Sequence, residues 1–119
     1  MIVRLWTTRL AEGREDDFLR FAQTRSRAMF LSQPGCLGVL FLRAENGAHA
    51  ACSFWRNSAD VEALATSASY RDTVSALVAT GVLRGETSTV VYEVQGGCFD
   101  AERLTNAMAG LEAVDIHRA

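Results

Sequence analysis

The sequence has few of the residues from which disulfide frameworks and metal sites are built. Its 119 residues include only three cysteines and two histidines. A disulfide framework needs cysteines in pairs, and a zinc site needs ligands at close spacing such as Cys-x-x-Cys. Cys36, Cys52 and Cys98 are widely separated, and neither histidine has a second histidine at helical spacing. We therefore expect three reduced thiols and no metal.

A strong excess of charge is also missing. The formal net charge of -2 provides no general attraction to phosphates or anionic lipids, so neither nucleic acid nor a membrane is an expected partner. No apolar run is long enough to cross a bilayer. The first residues, MIVRLWTTRL, lack the charged region, apolar core and cleavage site of a signal peptide. These absences predict a cytoplasmic protein.

The hydrophobic pattern predicts the element order βαββαβ. The segments IVRLWTT, CLGVLFLR, AHAACSFWR and ETSTVVYEV are rich in β-branched and aromatic residues or alternate as strands do. A first helix begins with acidic residues and ends at Pro34-Gly35, because proline cannot continue it. A second helix is predicted to break around Ser67–Ser69 and to resume at Tyr70. This order is that of the α+β, ferredoxin-like fold with an antiparallel four-stranded sheet.

Asn46-Gly47 lies between two apolar runs and is a strong hairpin signal. A two-residue type I′ turn at this point sets Glu45 opposite Ala48. The register predicted along the two strands pairs Arg43 with His49, Phe41 with Ala51, Val39 with Ser53 and Leu37 with Trp55. The opposite face of the hairpin carries Leu40, Leu42, Ala50, Cys52 and Phe54.

Both faces of this predicted sheet are apolar, and the helices of the fold cover only one of them. We therefore expect a homodimer in which two sheets associate face to face. The face with Leu40, Cys52 and Phe54 is the predicted interface. Residues 1–95 are expected to form the domain, and residues 96–119 a tail with a short amphipathic helix from Ala101 to Val114. That tail is expected to cover a sheet edge or the partner subunit.

Four short stretches carry a resemblance to a known family. They are IVRLWTT, Gly13 with Phe18-Leu19, Pro34-Gly35-Cys36, and Phe54-Trp55-Arg56-Asn57. Over about Ile2 to Val94, the chain resembles the antibiotic biosynthesis monooxygenase family of dimeric α+β barrels. That family includes cofactor-independent monooxygenases acting on quinols and anthrones, haem-degrading enzymes and proteins with no known reaction.

The resemblance implies a substrate pocket between the sheet and the helices. At the matching position, Trp55 would line it, and the hairpin register adds Ser53, Ala51 and Val39. Trp6 is a further candidate for the pocket wall, and a position in the ordinary core is the alternative for both tryptophans. Small side chains beside an indole leave room for a flat aromatic ligand.

Several catalytic residues of the family have no counterpart in this sequence. Haem-degrading members use a helix histidine and a strand-one asparagine, which would fall near Val74 and at Trp6 or Thr7. Anthrone oxygenases use a strand-three asparagine, and Ala51 takes that position. The resemblance therefore implies neither haem nor another cofactor.

The polar candidates for the pocket are Arg4 and Tyr70. An arginine within a short apolar strand needs water, a carboxylate or a ligand. Arg4 is expected either to neutralise a substrate anion or to form an ion pair with Glu93. Tyr70 is expected either to hydrogen-bond a substrate oxygen or to lie at the surface. His49, beside the turn, is expected to be solvent-exposed and a poor general base.

Two functions follow from these residues and from the resemblance. The first is a cofactor-independent monooxygenase that oxidises a small phenol, quinol or anthrone with dioxygen. Arg4 and Tyr70 would be its catalytic residues. The second is a non-catalytic dimer of the same fold that binds a small ligand or has a structural role.

Overall fold

The computed structural model describes residues 1–111 and 113–116. Four strands and five α-helices occur in this part of the chain. They are β1 (Ile2–Leu10), α1 (Glu15–Phe21), α2 (Arg27–Ser32), β2 (Cys36–Arg43), β3 (His49–Trp55), α3 (Ser58–Thr66), α4 (Ala68–Ala79), β4 (Leu83–Glu93) and α5 (Ala101–Ala109). A π-helical turn, Ala22–Ser26, joins α1 to α2 into one continuous first helix.

The strands form one antiparallel sheet with the spatial order β2-β3-β1-β4. Strand β1 lies in the interior, where Arg4 pairs with Ser53 of β3 and Val91 of β4. The predicted α+β, ferredoxin-like fold is confirmed. The predicted break in the second helix is also present, because Ser67 ends α3 and its side chain accepts a hydrogen bond from the Tyr70 amide at the start of α4.

The hairpin between β2 and β3 differs from the predicted two-residue turn. The Ala44 amide donates to the Ala48 carbonyl at 2.8 Å, so Ala44, and not Glu45, lies opposite Ala48. Gly47 has φ +86°, whereas no described residue other than glycine has a positive φ. The loop is therefore a type I turn followed by a left-handed glycine, which is the usual three-residue hairpin loop.

The predicted register of this hairpin holds from Arg43 opposite His49 to Val39 opposite Ser53. It fails at the far end, where Trp55 lies opposite Cys36 and not opposite Leu37. A register shift between Cys36 and Gly38 inserts an extra residue into β2. Such bulges are common near sheet edges, and β2 is an edge strand.

The two faces of the sheet divide as the alternation predicts. Along β3, the residues of the helix-covered face are buried, whereas Ala50, Cys52 and Phe54 on the other face are half-buried. His49 belongs to the covered face and is only 4% exposed. The expectation that His49 is solvent-exposed was wrong, because Phe18 of the first helix packs against its ring at 5.5 Å.

The turn at Pro34-Gly35 packs closely against the second helix. A Cβ atom at Gly35 would overlap the side chain of Asp60, and the Gly35 carbonyl accepts a hydrogen bond from the Arg56 amide at 3.1 Å. Arg56 in turn binds the Asp60 carboxylate at 2.9 Å. Only glycine fits at position 35 without moving this ion pair.

The amphipathic helix in the tail, α5, is shorter than predicted. It begins after Asp100, whose side chain accepts from the Arg103 amide, and it ends at Ala109 rather than at Val114. Beyond it the chain returns to the first helix, where Gln23 donates to the Ala113 carbonyl and Arg27 pairs with Asp115. Glu112, within the predicted helix, and the last three residues lie outside the described part. The division of the chain at residue 95 stays a prediction.

Within residues 1–111 and 113–116, none of the helices has the length and the apolar composition needed to cross a membrane. In the same part of the chain, His, Cys, Asp and Glu side chains do not converge in threes as a metal site would require.

The three thiols differ in their surroundings, and we expect them to react at different rates. Burial raises the pKa of the Cys36 thiol, although a hydrogen bond with the backbone of Gly38 opposes the effect; burial also raises the pKa of Cys52. Cys98 is exposed. Because the thiolate is the nucleophile, iodoacetamide at neutral pH should label Cys98 roughly tenfold faster than the other two. A time course of peptide masses measures this, and equal rates would contradict it.

Candidate active site

A cavity of about 220 Å³ lies between the sheet and the helices. Its floor comes from all four strands, and its other walls come from the first helix and from α4. Apolar side chains make up most of the lining. The residues that define its shape are Trp6, Phe18, Phe30, Phe41, Ala51 and Leu77.

Arg4 and Tyr70 form the principal polar group of this cavity. The Arg4 guanidinium donates from Nη2 to the Tyr70 hydroxyl at 2.9 Å. Its central carbon also lies 5.5 Å from the centroid of the Tyr70 ring, within the range of a cation–π interaction. Arg4 is only 9% exposed. Both predicted catalytic residues therefore line the same cavity and touch each other.

The alternative ion pair between Arg4 and Glu93 is not formed. The two residues lie on the same face of the sheet, but Glu93 pairs with Ile2 and Arg4 pairs with Val91. The Arg4 side chain points instead toward α4, where Tyr70 follows the Ser67 cap by three residues. The alternative expectation of an Arg4–Glu93 ion pair was therefore wrong.

Trp6 and Ala51, two of the candidate pocket residues, line the cavity. They are cross-strand neighbours in the β1–β3 pairing. The Trp6 indole lies roughly parallel to the Phe18 ring, with the two centroids 6.4 Å apart. Because Ala51 carries only a methyl group beside this indole, space for a flat ligand opens at this point of the sheet.

Trp55, Ser53 and Val39, which were predicted to line the pocket, do not border this cavity. Trp55 is completely buried, and Phe30, Met29 and Leu64 pack around it. Its indole nitrogen donates to the Ser53 hydroxyl at 2.8 Å, so the polar atoms of the two side chains satisfy each other. Val39 packs against the same cluster. These three residues form the core beside the cavity.

The π-helical turn brings a residue to the cavity that the sequence pattern did not indicate. A π turn has one more residue than an α turn and often lies at a functional site. Here the Arg27 amide donates to the Ala22 carbonyl, five residues earlier. Ala22 and Ser26 of this turn both line the cavity. The Ser26 hydroxyl has no hydrogen-bond partner among the described residues, so it is available to a ligand.

The model of the antibiotic biosynthesis monooxygenase family matches residues 1–76, which contain β1 to β3 and most of α4. The chain belongs to this family. The resemblance carried by the four short stretches is confirmed.

Solved structures agree with this assignment at the level of the fold. A candidate antibiotic biosynthesis monooxygenase from Deinococcus radiodurans is 18% identical and has a TM-score of 0.65, with 84% of this chain and 97% of that chain covered. A NIPSNAP domain protein from Burkholderia xenovorans is 17% identical with a TM-score of 0.61, covering 84% of this chain and 100% of that chain.

A third similar structure, a conserved protein of unknown function from Bacteroides thetaiotaomicron, is described as a possible oxidoreductase. It is 18% identical with a TM-score of 0.61, covering 78% of this chain and 97% of that chain. No curated protein matches the sequence. At such identities these structures establish the fold and leave the reaction to the residues of the site.

This family member has no imidazole or carboxylate in the described lining of its cavity. Val74, near the helix histidine of haem-degrading relatives, contributes an isopropyl group. His49 lies on the far side of Phe18, where its Nε2 is 3.6 Å from the Glu15 carboxylate. The cavity therefore relies on a guanidinium, a phenol and a few hydroxyls for its polar chemistry.

Proposed function

We propose that the protein is a cofactor-independent monooxygenase that oxidises a small phenol or quinol with dioxygen. The observation that supports this proposal is the Arg4–Tyr70 pair at the wall of an apolar cavity. A buried cation stabilises an anionic ring oxygen far more than a water-exposed cation does, because the surroundings of the buried cation are preorganised and have a low dielectric constant. The aromatic walls orient the ring, and the cavity limits access of water.

The reaction needs no external reductant, because a quinol supplies all the electrons. Loss of a hydroxyl proton to water gives the ring anion, which Arg4 stabilises. The anion transfers electrons to dioxygen, and a bond forms between a ring carbon and one oxygen atom. That carbon loses its hydrogen, the other oxygen atom leaves as water, and the ring becomes a hydroxyquinone. One quinol and one dioxygen thus give one hydroxyquinone and one water.

The size of the cavity indicates the size of the substrate. An apolar cavity of about 150 Å³ accommodates benzene in another protein. The cavity near Trp6 measures about 220 Å³, which suits one or two fused rings better than three. Quinols of the benzene and naphthalene series are therefore the proposed substrates, and the three-ring anthrones are less well matched.

A labelling experiment tests this proposal. The full chain is incubated with 1,4-dihydroxynaphthalene under ¹⁸O₂, and the products are analysed by mass spectrometry. A monooxygenase forms a hydroxynaphthoquinone that carries one ¹⁸O atom, whereas simple oxidation forms naphthoquinone and hydrogen peroxide. We expect Arg4→Gln to reduce the labelled product roughly 100-fold, in line with the loss of one preorganised charge-stabilising group.

The matched control for this experiment is Arg71→Gln. Arg71 is exposed on α4, next to Tyr70, so the variant has the same change in net charge with an intact cavity. Its rate should equal that of the wild type. No labelled product above the buffer background, across one-ring and two-ring quinols, would refute the monooxygenase proposal.

That negative outcome would favour the second candidate, a non-catalytic protein that binds a small ligand in the same cavity. The described lining supports this alternative in one respect, since it contains no imidazole or carboxylate to accept a proton. A ligand-binding protein requires only the apolar walls and the Arg4–Tyr70 pair.

We also propose that the protein is a homodimer joined through the open face of its sheet. This face carries Val3, Leu5, Cys52, Phe54 and Val90, and helices α1 to α4 pack on the opposite face. Apolar sheet faces of this size are normally covered in soluble proteins. A second copy of the chain covers its own equivalent surface through twofold symmetry.

A further inference from the structure

The charge of Arg4 is not neutralised within the described part of the protein. The ion pairs of the described residues join surface arginines, or His49, to Asp or Glu side chains. Arg4 takes part in none of them, although it is 9% exposed. Its recorded side-chain partner is the neutral hydroxyl of Tyr70. A cation buried in this way is costly unless an anion approaches it.

The guanidinium also has donors to spare. It carries five N–H groups, and the Tyr70 hydroxyl accepts from one nitrogen. Arg4 lines the cavity together with Trp6, Phe41 and Thr89. A ligand in this cavity therefore meets a planar, positively charged donor at one end and aromatic rings along its length.

We propose that the natural ligand of this cavity is an aromatic carboxylate, a one-ring or two-ring acid whose carboxylate binds the Arg4 guanidinium. The fork of the guanidinium matches the two oxygens of a carboxylate. A carboxylic acid is ionised at neutral pH, whereas an ordinary phenol is not, so the acid arrives already as the anion. Tyr70 accepts from Arg4 and donates its own proton to the ligand.

This inference deepens the proposed function, since it names the acidic group that the oxidised ring would carry, and it rests on the same cavity. In an ortho-hydroxy acid of this class, the carboxylate lies beside the ring oxygen that becomes anionic. Binding and turnover are separate measurements, so either proposal can fail alone.

The test compares two probes of nearly equal shape, naphthalene-2-carboxylate and naphthalene-2-carboxamide. Isothermal titration calorimetry measures the dissociation constant of each for the full chain at neutral pH. Hydrogen bonds to charged groups are stronger than those between neutral groups, and we expect the carboxylate to bind about tenfold or more tightly than the carboxamide. Equal affinities, or no measurable binding of the carboxylate, would overturn the proposal.

Variants assign this preference to Arg4. In Arg4→Gln, the ratio of the two dissociation constants should fall to about one, and Arg4→Lys should keep part of the preference because the charge remains without the planar fork. Arg71→Gln removes a charge from α4 outside the cavity and should leave the wild-type ratio unchanged. A wild-type ratio retained in both Arg4 variants would overturn the proposal.

The outcomes separate the two proposals. A strong preference for the carboxylate without labelled product from any hydroxynaphthoate or quinol under ¹⁸O₂ would support the acid-binding site and refute the monooxygenase. Labelled product from 1,4-dihydroxynaphthalene without a preference for the carboxylate would support the monooxygenase and refute the acid.

Discussion

Replacing Trp55 by alanine is expected to lower the free energy of unfolding by about 3–5 kcal/mol, the range for large aromatic residues in a core. Trp55 is fully buried, and its neighbours Met29, Phe30 and Leu64 come from two helices, α2 and α3. The substitution also removes the indole N–H group that donates a hydrogen bond to the Ser53 hydroxyl. Because a domain of this size is stable by only about 5–15 kcal/mol, the variant should be close to unfolding at 25 °C.

The matched variant is Trp6→Ala, which removes the same side chain from the wall of the cavity. Trp6 already borders empty space and is only half-buried, so we expect roughly half of the loss in stability. The same variant should weaken the binding of aromatic probes, because the stacked surface of the cavity disappears. Urea denaturation followed by circular dichroism measures both stabilities. A larger loss for Trp6→Ala than for Trp55→Ala would contradict the assignment of Trp55 to the core.

The sequence alone allowed the face of each tryptophan to be predicted, but not its role. Side-chain alternation places Ile2, Arg4 and Trp6 on the face that also carries Ser53 and Trp55, and the structure confirms this division. Side-chain alternation cannot distinguish the roles of two aromatic residues that lie on the same face. Which of them borders a cavity depends on where the helices separate from the sheet, and a β-strand pattern contains no information on that separation.

The first helix shows why the position of the cavity was not predictable. Phe18, Ala22 and Met29 follow the spacing of one face of a continuous helix, and these three residues are buried. The π turn between Ala22 and Ser26 changes the direction of the side chains after it. No residue type is specific for such a turn, so the contribution of Ser26 to the cavity had no signal in the sequence.

The differences in the hairpin have a similar cause. Asn46-Gly47 correctly indicated a turn, but two-residue and three-residue loops use the same residues with different backbone angles. The bulge between Cys36 and Gly38 shifts the register at Trp55 by one residue. Glycine in a strand permits a bulge without requiring one. The Gly35 turn before this bulge packs closely against Asp60, a tertiary contact that side-chain alternation does not indicate.

Replacing Leu5 by glutamate is expected to convert a dimer into a monomer. Leu5 lies in the middle of the open sheet face, between Cys52 on β3 and Val90 on β4. A carboxylate buried at this point of a face-to-face interface would lack a partner, and burying an unpaired charge costs several kcal/mol. On the monomer, the same carboxylate remains in water, so the domain itself should still fold.

Size-exclusion chromatography with light scattering measures this difference directly. The wild type should have twice the mass of the chain, and Leu5→Glu should have the mass of one chain with an unchanged circular dichroism spectrum. Leu19→Glu is the control, because Leu19 is exposed on α1, outside the sheet, and this variant should stay dimeric. A monomeric wild type would refute the proposed dimer, because the apolar face would then be stable in water. A dimeric Leu5→Glu variant would place the interface elsewhere and leave the open face for another partner.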